Sequence, residues 1–288
     1  MVSPLLVTLI SAIELFNNQP IFQDPIAAPR SPYSYLTVKT STYLGERIYY
    51  LEAAIGKQIP IATLKLDTAT FQFGIDAAAW IDLGYDDGAF PLLLQDFYFG
   101  FPLSFKYNNF SVALKFGHIS SHVGDGLDGM LEKTLSDKER QEYEQAERIG
   151  SSYGYSVSLT EPINYSRDFE SLQLAYATKI NSVDTKLYAQ AGYAHRMFPK
   201  YLGRWFVGNG LEFEYAGAYF TPYYAQDVTW NLDVDSVDIS SQLGTIINKK
   251  TGDLIELRLC LTLYAGSDRR GQLVGRKLRQ VGFGMLVK

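Results

Sequence analysis

His118 and Ser120 stand two residues apart in Lys115-Phe116-Gly117-His118-Ile119-Ser120-Ser121-His122-Val123-Gly124-Asp125-Gly126, a stretch holding two of the chain's three histidines. On an extended strand, residues two apart share a face at roughly 7 Å. An imidazole leaning along the strand can then serve the hydroxyl as its general base. A third group should hold the imidazole in the right tautomer. Asp168 and Glu170, on the face that also carries Leu172, Leu174 and Tyr176, are the candidates, with Asp125 the local alternative. Such a set would hydrolyse an ester. The same residues also admit a structural account, in which His118, Ser120, Ser121 and His122 form a hydrogen-bonded rim that ends the strand. Gly124 and Asp125 would then anchor the loop beyond it. A metal set of His118, His122 and Asp125 fits poorly, because i,i+4 on a strand separates the two imidazoles by about 13 Å. No cofactor is expected.

The elements that carry these residues read as strands by strict alternation. Phe71, Phe73, Ile75, Ala77, Ala79 and Ile81 share one face against Gln72, Gly74, Asp76, Ala78, Trp80 and Asp82. Phe97 to Phe105 and Ile255 to Leu263 repeat the pattern, with Arg258 and Cys260 on the polar side of the latter. Shorter versions lie at Phe110 to Phe116, Leu211 to Tyr215 and Val281 to Val287. Runs of this length exceed the usual globular strand and match the roughly 9 to 11 residues that a tilted strand needs to cross a bilayer. The chain has 288 residues and room for about 12 such strands, too many for a small filled barrel. The expected fold is therefore all-β: a single antiparallel transmembrane β-barrel with a polar lumen and the Phe/Leu/Tyr face toward lipid. His118 and Ser120 then leave their strand on the lipid side near the extracellular rim. An outer-leaflet acyl ester lies there.

Turns orient this barrel. Asn108-Asn109 reads as a two-residue hairpin connection and Asn248 to Asp253 as a turn, both periplasmic. The segment 122–163 reads as a long extracellular loop bearing a short helix, with Ser136 and Glu139 as a capping box and Glu144 and Arg148 as an i,i+4 pair. Residues 1–22 read as a hydrophobic leader and 23–288 as the barrel. No apolar run reaches the length of a membrane-spanning helix.

Composition narrows the partners. Lys+Arg total 26 against 31 Asp+Glu, for a net charge of −5, so nothing provides the basic surface that a nucleic acid requires. The single Cys260 excludes an internal disulfide. Soluble-enzyme signatures fail: Gly124 to Gly129 has Walker-like spacing, but Met130 stands where lysine must bind phosphate. The expected partners are outer-membrane lipids and the outer-membrane assembly machinery. The chain ends Leu286-Val287-Lys288, however, rather than on the aromatic residue that outer-membrane strands often present for assembly.

Two resemblances follow from these residues. The outward His-x-Ser pair is similar to that of outer-membrane phospholipase and lipid A deacylase barrels, which implies hydrolysis of an envelope lipid. More broadly, Phe22-Gln23-Asp24-Pro25 with Ala28-Pro29-Arg30, Gln95 to Leu103, Ser120 to Asp125, Ile163 to Asp168, and Tyr264-Ala265-Gly266-Ser267 before Gly271-Gln272 resemble the ordered motifs of the domain-of-unknown-function 1207 family. The family's central motif reads approximately His-Gln-Ser-Ser-His-Leu-Gly-Asp-Glu. This chain matches it at His118, Ser120, Ser121, His122, Gly124 and Asp125, and has Gly126 in place of the acid. The resemblance implies a bacterial outer-membrane barrel, with structural, surface or solute-passing roles open beside the enzymatic one.

Overall fold

The computed structural model describes residues 13–17, 19–43, 46–85, 88–124, 165–198, 203–217, 220–247, 256–267 and 277–288. Its strands are β1 (Ile13–Leu15), β2 (Ser34–Tyr43), β3 (Glu46–Leu66), β4 (Ala69–Gly84), β5 (Leu92–Tyr107), β6 (Phe110–Val123) and β7 (Tyr165–Ile180). They continue with β8 (Val183–Phe198), β9 (Trp205–Tyr215), β10 (Phe220–Asn231), β11 (Ser236–Ile247), β12 (Leu257–Ser267) and β13 (Lys277–Val287). From β2 onward each strand pairs antiparallel with the next, and β13 returns to β2 in the register Val287↔Ser34 to Arg279↔Thr42. Twelve strands thus close on themselves. Closure leaves no edge exposed, the condition for burying a backbone in hydrocarbon.

At one end the hairpins are tight. Asp67, Asn108 and Asn181 begin the β3–β4, β5–β6 and β7–β8 connections at φ 46°, 51° and 55°. These are left-handed conformations that short Asx side chains tolerate. The expected turn at 248–253 lies outside the described residues. So does the helix expected at 136–149. Among the described residues there is no α-helix, and the one helical turn is the 3-10 segment Leu232–Val234 between β10 and β11.

Alternation sets the two faces as expected. Phe71, Phe73, Phe97, Phe99, Phe101 and Leu103 stand exposed on the outside, and Gln72, Asp76, Ser104, Lys115, Asp227 and Arg258 are buried inside. That surface is inverted relative to a water-soluble core and suits a hydrocarbon surrounding.

The lumen is occupied. Leu15 pairs with Ala62 of β3 and Tyr35 with Ala54, so β1 and β2 follow one strand line beside β3. Seven residues of β3 (55–61) therefore lie opposite nineteen residues of the chain (16–34), and the surplus turns into the barrel. Pro20, Pro25, Pro29 and Pro32 forbid that surplus from joining the ladder. Where the neighbouring strand departs, β3 carries Pro60 beside a register shift. A proline mid-strand is tolerated at such a local edge and bulge. Gly56 permits the departure: a Cβ there would lie 2.6 Å from the Pro32 carbonyl carbon.

The inserted segment is held by side chains from seven strands. Lys115 Nζ meets both Asp24 oxygens at 2.5 and 2.6 Å and Asp76 at 2.7 Å. Ile21 N–H donates to Gln72 at 2.9 Å, Asp24 N–H to Gln58 at 3.3 Å and Ile26 N–H to Glu212 at 2.8 Å. Gln242 donates to the Ile26 carbonyl at 2.8 Å and Lys186 to that of Gln23 at 2.9 Å. Arg30 pairs with Asp96 and lies over the Trp80 ring. Phe22, Ile26, Ala27 and Tyr33 supply the apolar contacts. The polar lumen is thus a lock for residues 19–33.

Candidate functional site on the outer wall

β6 and β7 pair His118 with Asp168, Phe116 with Glu170 and Ser120 with Ser166. Cross-strand partners share a face. Outward exposure of Phe116 and Leu172 puts His118, Ser120, Asp168 and Glu170 on the outer wall, a few residues from the end where β6 and β7 leave the sheet. His118 Nδ1 lies 2.5 Å from Asp168 Oδ1, with the two side chains 49% and 28% exposed. A carboxylate on Nδ1 holds the proton there and leaves Nε2 basic. Of the acids open from the sequence, Asp168 is therefore the one paired with His118 among the described residues. Ser120 follows on the same face at strand spacing, and no hydrogen bond joins it to His118.

Glu170 serves a different histidine. In the β7–β8 pairing Glu170 faces Tyr193 and Asp168 faces Arg196, so Phe169 alone opposes Ala194 and His195. This bulge sends two consecutive side chains, His195 and Arg196, outward, while Ala194 and Met197 are buried. His195 Nδ1 then lies 2.8 Å from Glu170 Oε1. His195 sits on another strand with no serine two residues away, so spacing alone does not join it to His118 and Ser120. The bulge, which alternation cannot reveal, brings it beside the first pair. With His122 also exposed and edge-on to Phe97 at 5.8 Å, all three histidines face outward on β6 and β8.

The remaining rim residues divide. Ser121 points inward and is buried. Gly124 N–H donates to the Leu93 carbonyl at 2.8 Å, and a Cβ at Gly124 would meet Leu92 O at 2.2 Å, so this glycine closes the end of the β5–β6 ladder. Asp125 lies outside the described residues. Among the described residues no group of three or more His, Cys, Asp or Glu could hold a metal ion.

Beside the patch, Trp205 of β9 packs on Tyr193 at 4.6 Å between ring centroids. Arg204 donates to the Tyr193 hydroxyl at 3.2 Å. Asp233 in the β10–β11 turn accepts the backbone N–H groups of Trp205, at 3.0 Å, and of Arg204. Those two donors hold its carboxyl below the usual range. The turn thereby fixes where β9 begins.

Comparison with solved structures gives outer-membrane barrels. The outer membrane phospholipase A of Escherichia coli superposes with a TM-score of 0.50 at 12% identity over 97% of each chain. The KdgM porin aligns at 0.40 and 8% identity over 88% of this chain and 98% of its own, and LpxR from Salmonella typhimurium at 0.38 and 10% over 88% and 99%. At these identities the likeness is one of fold. Among curated proteins none matches by sequence. The family profile described as "Protein of unknown function (DUF1207)" matches residues 6–161, which include the His118 to Gly124 segment and the luminal residues 19–33, and the chain belongs to that family.

Proposed function

We propose that the protein is an outer-membrane barrel that hydrolyses an acyl ester of an outer-leaflet lipid at the outward His118, Ser120, Asp168 site. The observation that carries this reading is the His118–Asp168 pair on a wall whose exposed side chains are mainly apolar. Charged groups on the lipid face of a barrel cost several kcal/mol at the midplane and ~0 to 1 near the interface. A paired imidazole and carboxylate near the rim therefore sit where their cost is small and where ester carbonyls of the outer leaflet lie.

In this reaction Ser120 Oγ attacks the ester carbonyl, its proton passes to His118 Nε2, and the imidazolium returns that proton to the departing lipid alcohol. Water, deprotonated by the same nitrogen, then releases the fatty acid and restores Ser120. Asp168 keeps the imidazole in its working tautomer and stabilises it when charged. Rotation of the Ser120 hydroxyl and a small ring movement make the missing contact when the lipid docks, since catalytic hydrogen bonds tighten in the substrate complex.

The filled lumen argues against the other reading from sequence, passage of solutes. The test is fatty-acid release from mixed micelles of phospholipid, and separately of lipid A, by detergent-purified protein. Wild type is expected to release it, with His118→Ala and Ser120→Ala slowed at least ~10³-fold and Asp168→Asn less. Heat-modifiable gel migration serves as the folding control. No release by wild type, or release at the wild-type rate by both alanine variants, removes the catalytic reading and leaves a polar rim.

A further inference from the structure

The proposed hydrolase site accounts for His118, Asp168 and Ser120, but not for Arg196. Its side chain is exposed on the outer wall beside Asp168 in the pairing register. It has no hydrogen bond or ion pair among the described residues. Arg30, Arg167 and Arg258 lie in the lumen, whereas Arg196 and, on β13, Arg279 are exposed on the outer face. Arg196 would have faced inward had β8 kept its alternation beyond Tyr193. The bulge opposite Phe169 turns it out, and buries Met197 in the place an inward arginine would have taken.

The surroundings decide what this cation can bind. Asp168 and Glu170 are each engaged by an imidazole. Both carboxylates keep their charge, but neither forms a hydrogen bond with the guanidinium, whose donors stay open to an added oxyanion. Arg204, at the start of β9, adds a second guanidinium on the Tyr193 hydroxyl of the same face. Two guanidinium groups at the height of lipid headgroups suit a bidentate oxyanion, and phosphate fits that geometry best. Sugars and neutral headgroups do not need it.

We propose that Arg196, assisted by Arg204, binds the phosphate of an outer-leaflet lipid and so selects a phosphate-bearing lipid for this patch. The inference rests on the lipid-hydrolase reading for its catalytic consequence, but binding itself does not need Ser120. In the pairing register Arg196 lies across Asp168 from His118, with Ser120 two residues nearer the strand end, so a lipid phosphate on Arg196 sits beside the site. Binding and chemistry thus share one register line across β6, β7 and β8. The phosphate could come from a glycerophospholipid or from a phosphorylated saccharolipid, both of which offer the same oxyanion.

Trp205, 52% exposed on the same wall and packed on Tyr193, is a built-in reporter. With Trp230→Phe removing the other exposed indole and Trp80 buried in the lumen, the protein is reconstituted with brominated phosphatidylglycerol or a brominated galactosyldiacylglycerol, which has no phosphate, at equal mole fraction. Stronger Trp205 quenching by the anionic lipid is expected. Arg196→Gln should lower that preference at least threefold, and Arg196→Lys should retain part of it. Ser120→Ala should keep the preference in full, so a failure of hydrolysis and a failure of headgroup selection give separate results. Unlabelled lipid A with and without its phosphates then competes. Relief by the phosphorylated form alone puts the saccharolipid on the site, and relief by neither leaves the glycerophospholipid. Equal quenching by the two brominated lipids in wild type, or an unchanged preference in Arg196→Gln, overturns the proposal.

Discussion

Lys115 shows how far a single residue can be read from its neighbours in sequence. Alternation places it inside, opposite Phe116, and says no more. The structure surrounds it with Asp24 of the inserted segment and Asp76 of β4, all three nearly inaccessible. One cation between two buried carboxylates is stable only as a set, because losing one partner strands charge that water cannot reach. Lys115→Met is therefore expected to destabilise the barrel by about 3–5 kcal/mol, measured as a lowered urea midpoint for unfolding from detergent micelles. Lys115→Met combined with Asp24→Asn and Asp76→Asn should recover much of the loss. His118 was more legible. Alternation gives its face and leaves Asp168 and Glu170 both open on one face of β7; the register between β6 and β7, which alternation does not give, puts Asp168 beside it.

At the scale of elements, what the sequence hides are interruptions. Twelve strands and their faces follow from long apolar alternation, and the Asn108-Asn109 turn follows from residue type. A bulge has no such signature, since one extra residue leaves composition and spacing almost unchanged while shifting every later side chain to the other face. In β8 the regular reading puts His195 out and Arg196 in. The observed strand puts both out. Spin labels attached in a Cys260→Ser background to Ala194→Cys, His195→Cys, Arg196→Cys and Met197→Cys separate the two. Collisional relaxation by lipid-dissolved oxygen should be high at 195 and 196 and low at 194 and 197. High values at 195 and 197 alone would mean an unbulged strand, and the Arg196 patch would go with it. The second interruption, between β1 and β2, did leave a trace in the four prolines from Pro20 to Pro32. Prolines are poor members of a central strand, so a segment of that kind ahead of the first long strand must go somewhere other than the wall.

For the whole molecule the inserted segment decides whether the barrel is a passage. It enters and leaves through the wall: Phe16 N–H bonds the Ile61 carbonyl at 2.9 Å, and Ser34 Oγ bonds the Gly56 backbone at 3.1 Å. Both ends are therefore tethered to β3. A segment fixed twice cannot be drawn out from one end as a terminal plug can. It is also bonded along its length to β3, β4, β5, β6, β8, β9 and β11. Each bond links the segment to a different part of the circumference, so releasing it requires breaking many of them together. The barrel should consequently be silent in planar bilayers across ordinary voltages. Replacing residues 19–31 by a short Gly-Ser linker frees the luminal charges of Lys115, Asp76, Glu212 and Lys186, which then hydrate. That variant is expected to conduct steadily, and to show a lower unfolding midpoint because Lys115 has lost Asp24 and the segment's backbone no longer bonds Glu212 and Lys186. Conductance in the wild type would mean that the segment leaves the lumen spontaneously and would reopen the solute-passing reading. Silence in the linker variant, with heat-modifiable migration intact, would mean that luminal side chains alone suffice to close the barrel and that the segment serves to brace the wall beneath the outer histidines.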